Sequence, residues 1–409
     1  MRSSTPSPAP SNSASLIETL GRWLLVVLFL MTVSMPLVWL DRGMGAPAAQ
    51  ENRTLHPFPR EFGLSWFKRV EAWFSDHYGL RDAVIHYASL LNIASTGKPA
   101  NQEVVIGKEG WLFLDANYVP GMPHFAASQG KTPLSQAQLD TITRQLIQLQ
   151  QHLQACGIGF YVVLAPDKNT VYPDKLGMAM PRQVRSPADQ WVAAMQAAGA
   201  QNWVIDLRPV LQQARAHHDT DLYYKTDTHW NTLGGFVAYQ HILDRLQRGP
   251  HSPAAAAHQQ RQHYQVTQEK FPGGDIAVNL LDLPGYYEDH VVRLSPSTAR
   301  AATPTTAAPW AVARDASAQR FHNPRAQGQL LLYRDSFGTE LLPFLAEDFQ
   351  ELHALPGHVV NGEDVAHARP TLVIVEKVER NLTGLLDAPV NLAQACPRSS
   401  HAQTSVRGR

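Results

Sequence analysis

The sequence predicts an α/β protein: a parallel sheet flanked by helices, preceded by an N-terminal transmembrane helix. Three observations carry that prediction. From about residue 135 to 380, short apolar runs alternate with helical stretches, the pattern of a parallel sheet with helices on both faces. Within SQAQLDTITRQLIQLQQHLQACG, the residues Leu139, Ile142, Leu146, Leu149 and Leu153 fall at alternating steps of three and four, one apolar stripe. Near the N-terminus, Trp23 to Leu40 is an uncharged run of 18 residues, close to the lower limit for a membrane-spanning helix.

Taken in order, residues 1–22 begin as a Ser/Pro/Ala-rich stretch and read as a disordered cytoplasmic tail. The apolar run 23–40 has Trp23 and Trp39 near its ends, where interfacial anchors sit. Arg2 and Arg22 precede it, and Asp41 and Arg42 follow, so its charge bias is weak. It reads as a signal-anchor. A cleaved signal peptide and a buried core helix are the other readings. As anchor or as cleaved signal, it leaves the rest of the chain outside the cytoplasmic membrane. Residues 41–54 form a linker, 55–388 the main domain and 389–409 a flexible tail.

ENRTLHPFP (Glu51 to Pro59) is an extended lead-in, and SWFKRVEAWFSDHYGLRDAVIHYASLLNIAS predicts two helices broken near Gly79. VVIGKEGWLFL (Val104 to Leu114) predicts a hairpin whose glycines supply the turn. The striped helix follows, with Ser135 as N-cap and Gly157 as C-cap. FYVVLAP (Phe160 to Pro166) is a strand buried on both faces. QWVAAMQAAGA and TLGGFVAYQHILDRLQ are helices, with the strand WVIDL (Trp203 to Leu207) between them. QLLLY (Gln329 to Tyr333) is a strand followed by a helix from about Gly338 to Asp348, and TLVIV (Thr371 to Val375) is another strand. HSPAAAAHQQ and PSTARAATPTTAAP are low in complexity, so mobile insertions are expected near 250–262 and 295–327.

The chain's 409 residues carry 35 basic and 35 acidic side chains, a balance that argues against a nucleic-acid partner. Cys156 and Cys396 lack metal-type spacing. A disulfide between them and two separate buried thiols both fit.

Two stretches hold the residue types of nucleophilic catalysis. In LLLYRDSFGTELLPFL, an apolar strand ends and Ser336 follows on a strand-to-helix turn. Ligands of open α/β sheets bind beyond the carboxyl ends of strands. A serine there can serve as nucleophile, or Asp335 and Ser336 can simply cap the next helix. In KTDTHWNTLGG, Asp227 and His229 lie two residues apart. In extended backbone such residues point the same way. A serine hydroxyl needs a base, imidazole is the usual one, and a carboxylate on its other nitrogen fixes the tautomer. A polar turn with an incidental histidine is the bland alternative.

TDTHWNTLGG, followed about a hundred residues later by YRDSFG, resembles the AlgX/AlgJ family of bacterial exopolysaccharide O-acetyltransferases. ENRTLHPFP, SDHYGLRDAVI, VIGKEGWLFL, VVLAPDKNTVYPDKL and EKVERNL extend the resemblance over about residues 51 to 385. The resemblance implies an SGNH-hydrolase-like domain with Asp227 as acid, His229 as general base and Ser336 as nucleophile. It further implies a periplasmic enzyme, anchored in the inner membrane, that passes acetyl to sugar hydroxyls. It also implies a multi-spanning membrane acyltransferase as the partner that supplies the acetyl. No cofactor or metal is expected. One departure is Arg334, where the usual Gly-Asp-Ser block has glycine.

Candidate substrate contacts are Trp230, Asn231, Lys168, Arg81, Arg334 and Arg380. Four of these have a structural alternative: a platform behind the His–Asp pair for Trp230, a turn for Asn231, loop placement for Lys168, as for Asn169, and helix packing for Arg81, as for Tyr78 and Asp82. Three rival functions remain. The same residues can run as an esterase with water as acceptor. The chain can be a non-catalytic scaffold of an export complex. A metal hydrolase would need a third ligand beyond Asp227 and His229, and no spacing supports His77 in that place.

Overall fold

The computed structural model describes residues 12–38, 56–77, 81–115, 125, 127, 130–177, 185–249, 261–298 and 300–396. The chain divides into two compact units, Met1–Ala100 and Asn101–Arg409. Residues 55–100 of the domain expected over 55–388 fall in the first unit and residues 101–388 in the second.

The first unit is helical. Helix α1 (Asn12–Val38) begins inside the stretch read as a disordered tail. No helix among the described residues is long and apolar enough to cross a membrane, so the expected span at 23–40 is not supported. Residues 39 and 40 lie outside the described set, as do the whole 41–54 linker and residues 250–260 of the insertion expected near 250–262. Helices α2 (Trp66–His77) and α3 (Arg81–Thr96) are the pair expected on either side of Gly79, itself outside the described residues.

The second unit opens with the expected hairpin, β1 (Val104–Ile106) and β2 (Leu112–Leu114), paired antiparallel. Helix α4 (Gln136–Ala155) starts at Ser135, which forms a capping box with Gln138. Gly157, at φ 75°, takes the left-handed position just past its end. Its five predicted stripe residues are all buried. Then come β3 (Gly159–Ala165), α5 (Pro187–Ala197), β4 (Val204–Asp206), α6 (Arg208–Arg215) and α7 (Thr232–Gln247). A two-stranded ribbon, β5 (Tyr264–Phe271) with β6 (Asp289–Pro296), follows. The remaining strands are β7 (Thr303–Thr305), β8 (Gln319–His322), β9 (Gln329–Arg334), β10 (Glu351–Pro356) and β11 (Leu372–Val378).

Among the described residues the main sheet has seven strands in the order β4-β3-β11-β9-β10-β8-β7. The first five are parallel, and β8 and β7 add an antiparallel edge. Alternate residues feed two cores. Tyr161, Val163, Leu330, Leu332 and Ile374 join α7 on one face, while Phe160, Val162, Leu331, Val373 and Val375 join α4 and α5 on the other. That is why β3, β9 and β11 read as continuous apolar runs.

Three expectations are corrected. The 295–327 stretch holds β7, a helical turn at Pro309–Arg314 and β8, because backbone pairing to a sheet edge needs little apolar side-chain content. The helix expected over 338–348 is a 3-10 turn, Ser336–Leu341, and one α turn, Leu342–Leu345. Pro343 cannot donate a backbone hydrogen bond, so it suits only the start of that turn. The tail expected from 389 is held as far as Cys396, which forms a disulfide with Cys156 at a Cα–Cα distance of 5.4 Å. β10 was not expected at all. ELHALP is six residues long and buries Leu352, His353, Ala354 and Leu355 with no alternation to mark it.

Candidate active site

β3, β11 and β9 lie side by side and end together, and their carboxyl ends carry Asp167, Glu379–Arg380 and Asp335–Ser336 respectively. The site lies over this edge, where parallel strands leave a crevice.

The serine turn is built from below. Asp335 receives the Phe337 N–H on one carboxylate oxygen (3.0 Å) and the Val378 N–H on the other (2.9 Å). Beneath it, the Asp335 N–H reaches the buried Glu376 carboxyl at 3.2 Å. Burial and the neighbouring Asp335 carboxylate push Glu376 well above the usual carboxyl range. Arg334, the residue in place of glycine, folds its guanidinium back to the Asp335 carbonyl and the Thr339 hydroxyl, both 3.1 Å. Gly338 lets that happen, since a Cβ there would meet the Arg334 side chain at 2.7 Å. Ser336 is left exposed.

The histidine arrives on a narrow loop. Tyr223 and Trp230 form an antiparallel bridge, so residues 224–229 make its tip. Much of that tip's backbone is held from behind. The Lys168 ammonium donates to the carbonyls of Tyr224 (3.1 Å), Lys225 (3.0 Å) and Asp227 (2.6 Å). Asp289 accepts from the Thr226 N–H (2.7 Å) and hydroxyl (2.6 Å). The Thr226 carbonyl accepts the Ile276 and Ala277 N–H groups, each at 3.2 Å. Burial pulls the Lys168 ammonium down to about 8, although Asp227, Asp275 and Asp289 oppose the shift.

At the tip, Asp227 Oδ1 accepts the His229 N–H at 2.9 Å and lies 2.6 Å from His229 Nδ1. The acid is therefore folded onto its histidine by an Asx-type turn, rather than by the side-chain alternation of extended backbone. His229 Nε2 lies 2.7 Å from Ser336 Oγ. Burial alone would raise the Asp227 pKa, but the His229 hydrogen bond and charge outweigh it and hold the carboxyl at about 2. A hydroxyl, an imidazole and a carboxylate so linked can pass a proton from serine to histidine while the ring keeps one tautomer.

Trp230 and Asn231 explain the rest of the motif. Trp230 is fully buried and its indole N–H donates to the Phe337 carbonyl at 3.0 Å, tying the histidine loop to the serine turn. Phe337 in turn packs 4.9 Å from the His229 ring. Asn231 caps α7 through the N–H groups of Leu233 (3.0 Å) and Gly234 (3.1 Å). The two glycines allow close approach, of Gly234 to the Leu222 carbonyl and of Gly235 to Glu340.

The structure thus brings Asp227, His229 and Ser336 together, and it corrects several expected substrate contacts. Lys168, Trp230 and Asn231 are buried braces. Arg380 lies over the Phe337 ring at 4.9 Å and pairs with the buried Asp167, so it too supports the turn. Asn169 is buried. Tyr78 and the side chains of Arg81 and Asp82 lie outside the described residues.

Sequence reasoning missed Asp275. Its carboxylate binds the Thr228 N–H (2.7 Å) and hydroxyl (2.6 Å), and its own N–H donates to Asp227 Oδ2 (2.8 Å). The signal was present in FPGGDIAVN, where two glycines precede an acid, but nothing in the sequence says which loop it meets. Asp227, His229 and Asp275 have ligand-type atoms within 4.8 Å of one another. Those atoms are engaged in hydrogen bonds within the cluster, and we assign no metal there.

The profile of the family described as "SGNH hydrolase-like domain, acetyltransferase AlgX" matches residues 104–315, just over half of the chain. The match contains Asp227, His229 and Asp275 and stops short of Ser336. The chain is 30% identical over 152 residues to the probable alginate O-acetylase AlgJ of Pseudomonas putida, covering 37% of this chain and 35% of that protein. It is 30% identical over 147 residues to AlgJ of Pseudomonas aeruginosa, covering 36% of this chain and 33% of that protein. The alignments thus span about a third of these curated relatives. The structure of Bacillus cereus PatB1 superposes with a TM-score of 0.51 at 18% identity, covering 69% of this chain and 98% of that one, a likeness of fold. With an SGNH-like α/β fold and a profile match over more than half its length, the chain belongs to the family of AlgX-type SGNH hydrolase-like acetyltransferase domains.

Proposed function

We propose that the protein is an O-acetyltransferase that moves acetyl groups onto hydroxyls of an exopolysaccharide through an acetyl-Ser336 intermediate. The observation that carries this reading is the hydrogen-bonded chain from Ser336 Oγ to His229 Nε2 (2.7 Å) and from His229 Nδ1 to Asp227 (2.6 Å). Ser336 Oγ attacks the acetyl carbonyl of the donor while His229 Nε2 takes its proton. Collapse of the tetrahedral intermediate expels the donor's leaving group, which receives that proton. His229 then deprotonates a sugar hydroxyl, which attacks the acetyl-serine, forms the sugar ester and regenerates Ser336. Asp227 stays ionised throughout and stabilises the imidazolium.

On this reading the acetyl arrives from a multi-spanning membrane acyltransferase, and the domain works in the periplasm. The Cys156–Cys396 disulfide supports an oxidising compartment. The names of the two AlgJ relatives make alginate the first polymer to test.

The experiment is acetyl release from p-nitrophenyl acetate by the full chain in detergent, with and without alginate-derived oligosaccharide. Ser336→Ala and His229→Ala should each lose at least about 10²-fold in rate. Acetylated oligosaccharide is the expected product. Acetate alone, with acceptor present, would instead identify an esterase. Undiminished release in both variants would remove Ser336 and His229 from the chemistry.

A further inference from the structure

The imidazole of His229 faces two carboxylates. Asp227 lies on Nδ1 at 2.6 Å, and Asp275 Oδ2 lies 3.6 Å from the same nitrogen. Between them stands the Thr228 hydroxyl, 3.2 Å from Nδ1 and 2.6 Å from Asp275. The 273–275 loop is shaped to bring this acid in. Gly273 sits at φ 122°, open to glycine alone, and a Cβ on Gly274 would collide with the Asp227 side chain. Ile276 and Ala277 then fasten the loop to the Thr226 carbonyl.

We propose that Asp275 is a positioning residue for His229: a second carboxylate that, through Thr228, steadies the Nδ1–H and shares the positive charge the ring gains when Ser336 gives up its proton. This rests on the serine–histidine reading above. A single carboxylate in hydrogen-bond contact would suffice to choose the tautomer. Two, with a hydroxyl between them, also make the imidazolium easier to form. The other charged groups near this cluster are Glu340, which acts on the ring from the serine turn, and Lys168, which acts on both acids from behind. Asp289 lies a residue further along the loop, on Thr226. Burial and the Asp227 charge raise the Asp275 carboxyl, while His229 and the two Thr228 hydrogen bonds counter this.

The test is the pH profile of p-nitrophenyl acetate hydrolysis by the full chain. Asp275→Asn should shift the acidic limb of kcat to lower pH and reduce kcat about tenfold with KM little changed, because one of two opposite charges beside the ring is lost. Thr228→Val keeps the charge but removes the hydroxyl, and should lower kcat while moving that limb less. It also serves as the second probe if Asp275→Asn does not fold. An unmoved acidic limb in a folded Asp275→Asn variant, or wild-type kcat in Thr228→Val, would overturn the proposal. Neither result would touch the serine–histidine reading, which stands or falls with Ser336→Ala and His229→Ala.

Discussion

Asp227 is the residue on which most of the site's electrostatics converge. It accepts the His229 N–H and lies on the His229 ring, and it accepts the Asp275 N–H as well. Its carboxyl is held at about 2 in the fold, below the ordinary value near 3.8. A depressed carboxyl contributes stability that is fully present above its unfolded pKa and is lost as pH falls through the folded one. Asp227→Asn should therefore flatten the part of acid unfolding that lies between about pH 4 and 2, as read by circular dichroism. Lys168 has the opposite sign. Its ammonium falls to about 8 from 10.5, so the fold binds fewer protons than the unfolded chain between those values. The burial cost is present below pH 8 and falls away by 10.5. Deprotonation leaves two N–H donors for three carbonyls, and the histidine loop loosens. Ester hydrolysis should fall as pH rises through about 8 in the wild type. Lys168→Met should be slower by about tenfold and lack that limb.

At the scale of elements, the site is two loops and a turn pressed together, and glycines set how closely. Gly274→Ala should push Asp227 off His229, costing about 1–3 kcal/mol of stability as overpacking does. The rate should drop more than the melting temperature suggests, and comparing a thermal melt with kcat checks this. Gly249 and Gly362 also meet neighbours closely, but they lie away from the serine. Helix α4 offers a control far from the chemistry. Ser135→Ala should cost about 1 kcal/mol by loss of its capping box and leave kcat unchanged. The α4 stripe and cap were readable in advance because helix periodicity and capping are local. The turn after β9 is shorter than the helix its sequence predicts, because the strength of Pro343 as a boundary depends on what surrounds it.

For the whole molecule, the disulfide links residues 240 positions apart and staples the C-terminal turn to α4. Closing so long a loop restricts the unfolded chain, and removing the link should cost roughly 2–5 kcal/mol. Cys156→Ser with Cys396→Ser should melt lower by several degrees yet hydrolyse p-nitrophenyl acetate at the wild-type rate at 25 °C, since the staple lies off the serine's edge of the sheet. The first unit stands apart in character. Among its described residues, α2 buries no side chain, and Phe62, Leu64 and Phe67 are exposed. Whatever the expected span at 23–40 does, the catalytic proposal rests only on the second unit.

The sequence by itself determined the α/β class, the strands β3, β4, β9 and β11, and the helices α4, α5 and α7, and it singled out Asp227, His229 and Ser336, which the fold brings within hydrogen-bond distance of one another. Each of these is a local pattern: a period, a cap, or a short motif whose residue types have few other uses together. Only the tertiary structure decided that Lys168, Trp230, Asn231 and Arg380 brace the site instead of facing substrate. Only the fold brought Asp275 onto Thr228, 47 residues away in the chain. Burial and partner identity are set by segments distant in sequence, and a charged or aromatic side chain looks the same in the chain whether it will meet solvent or a ring of carbonyls.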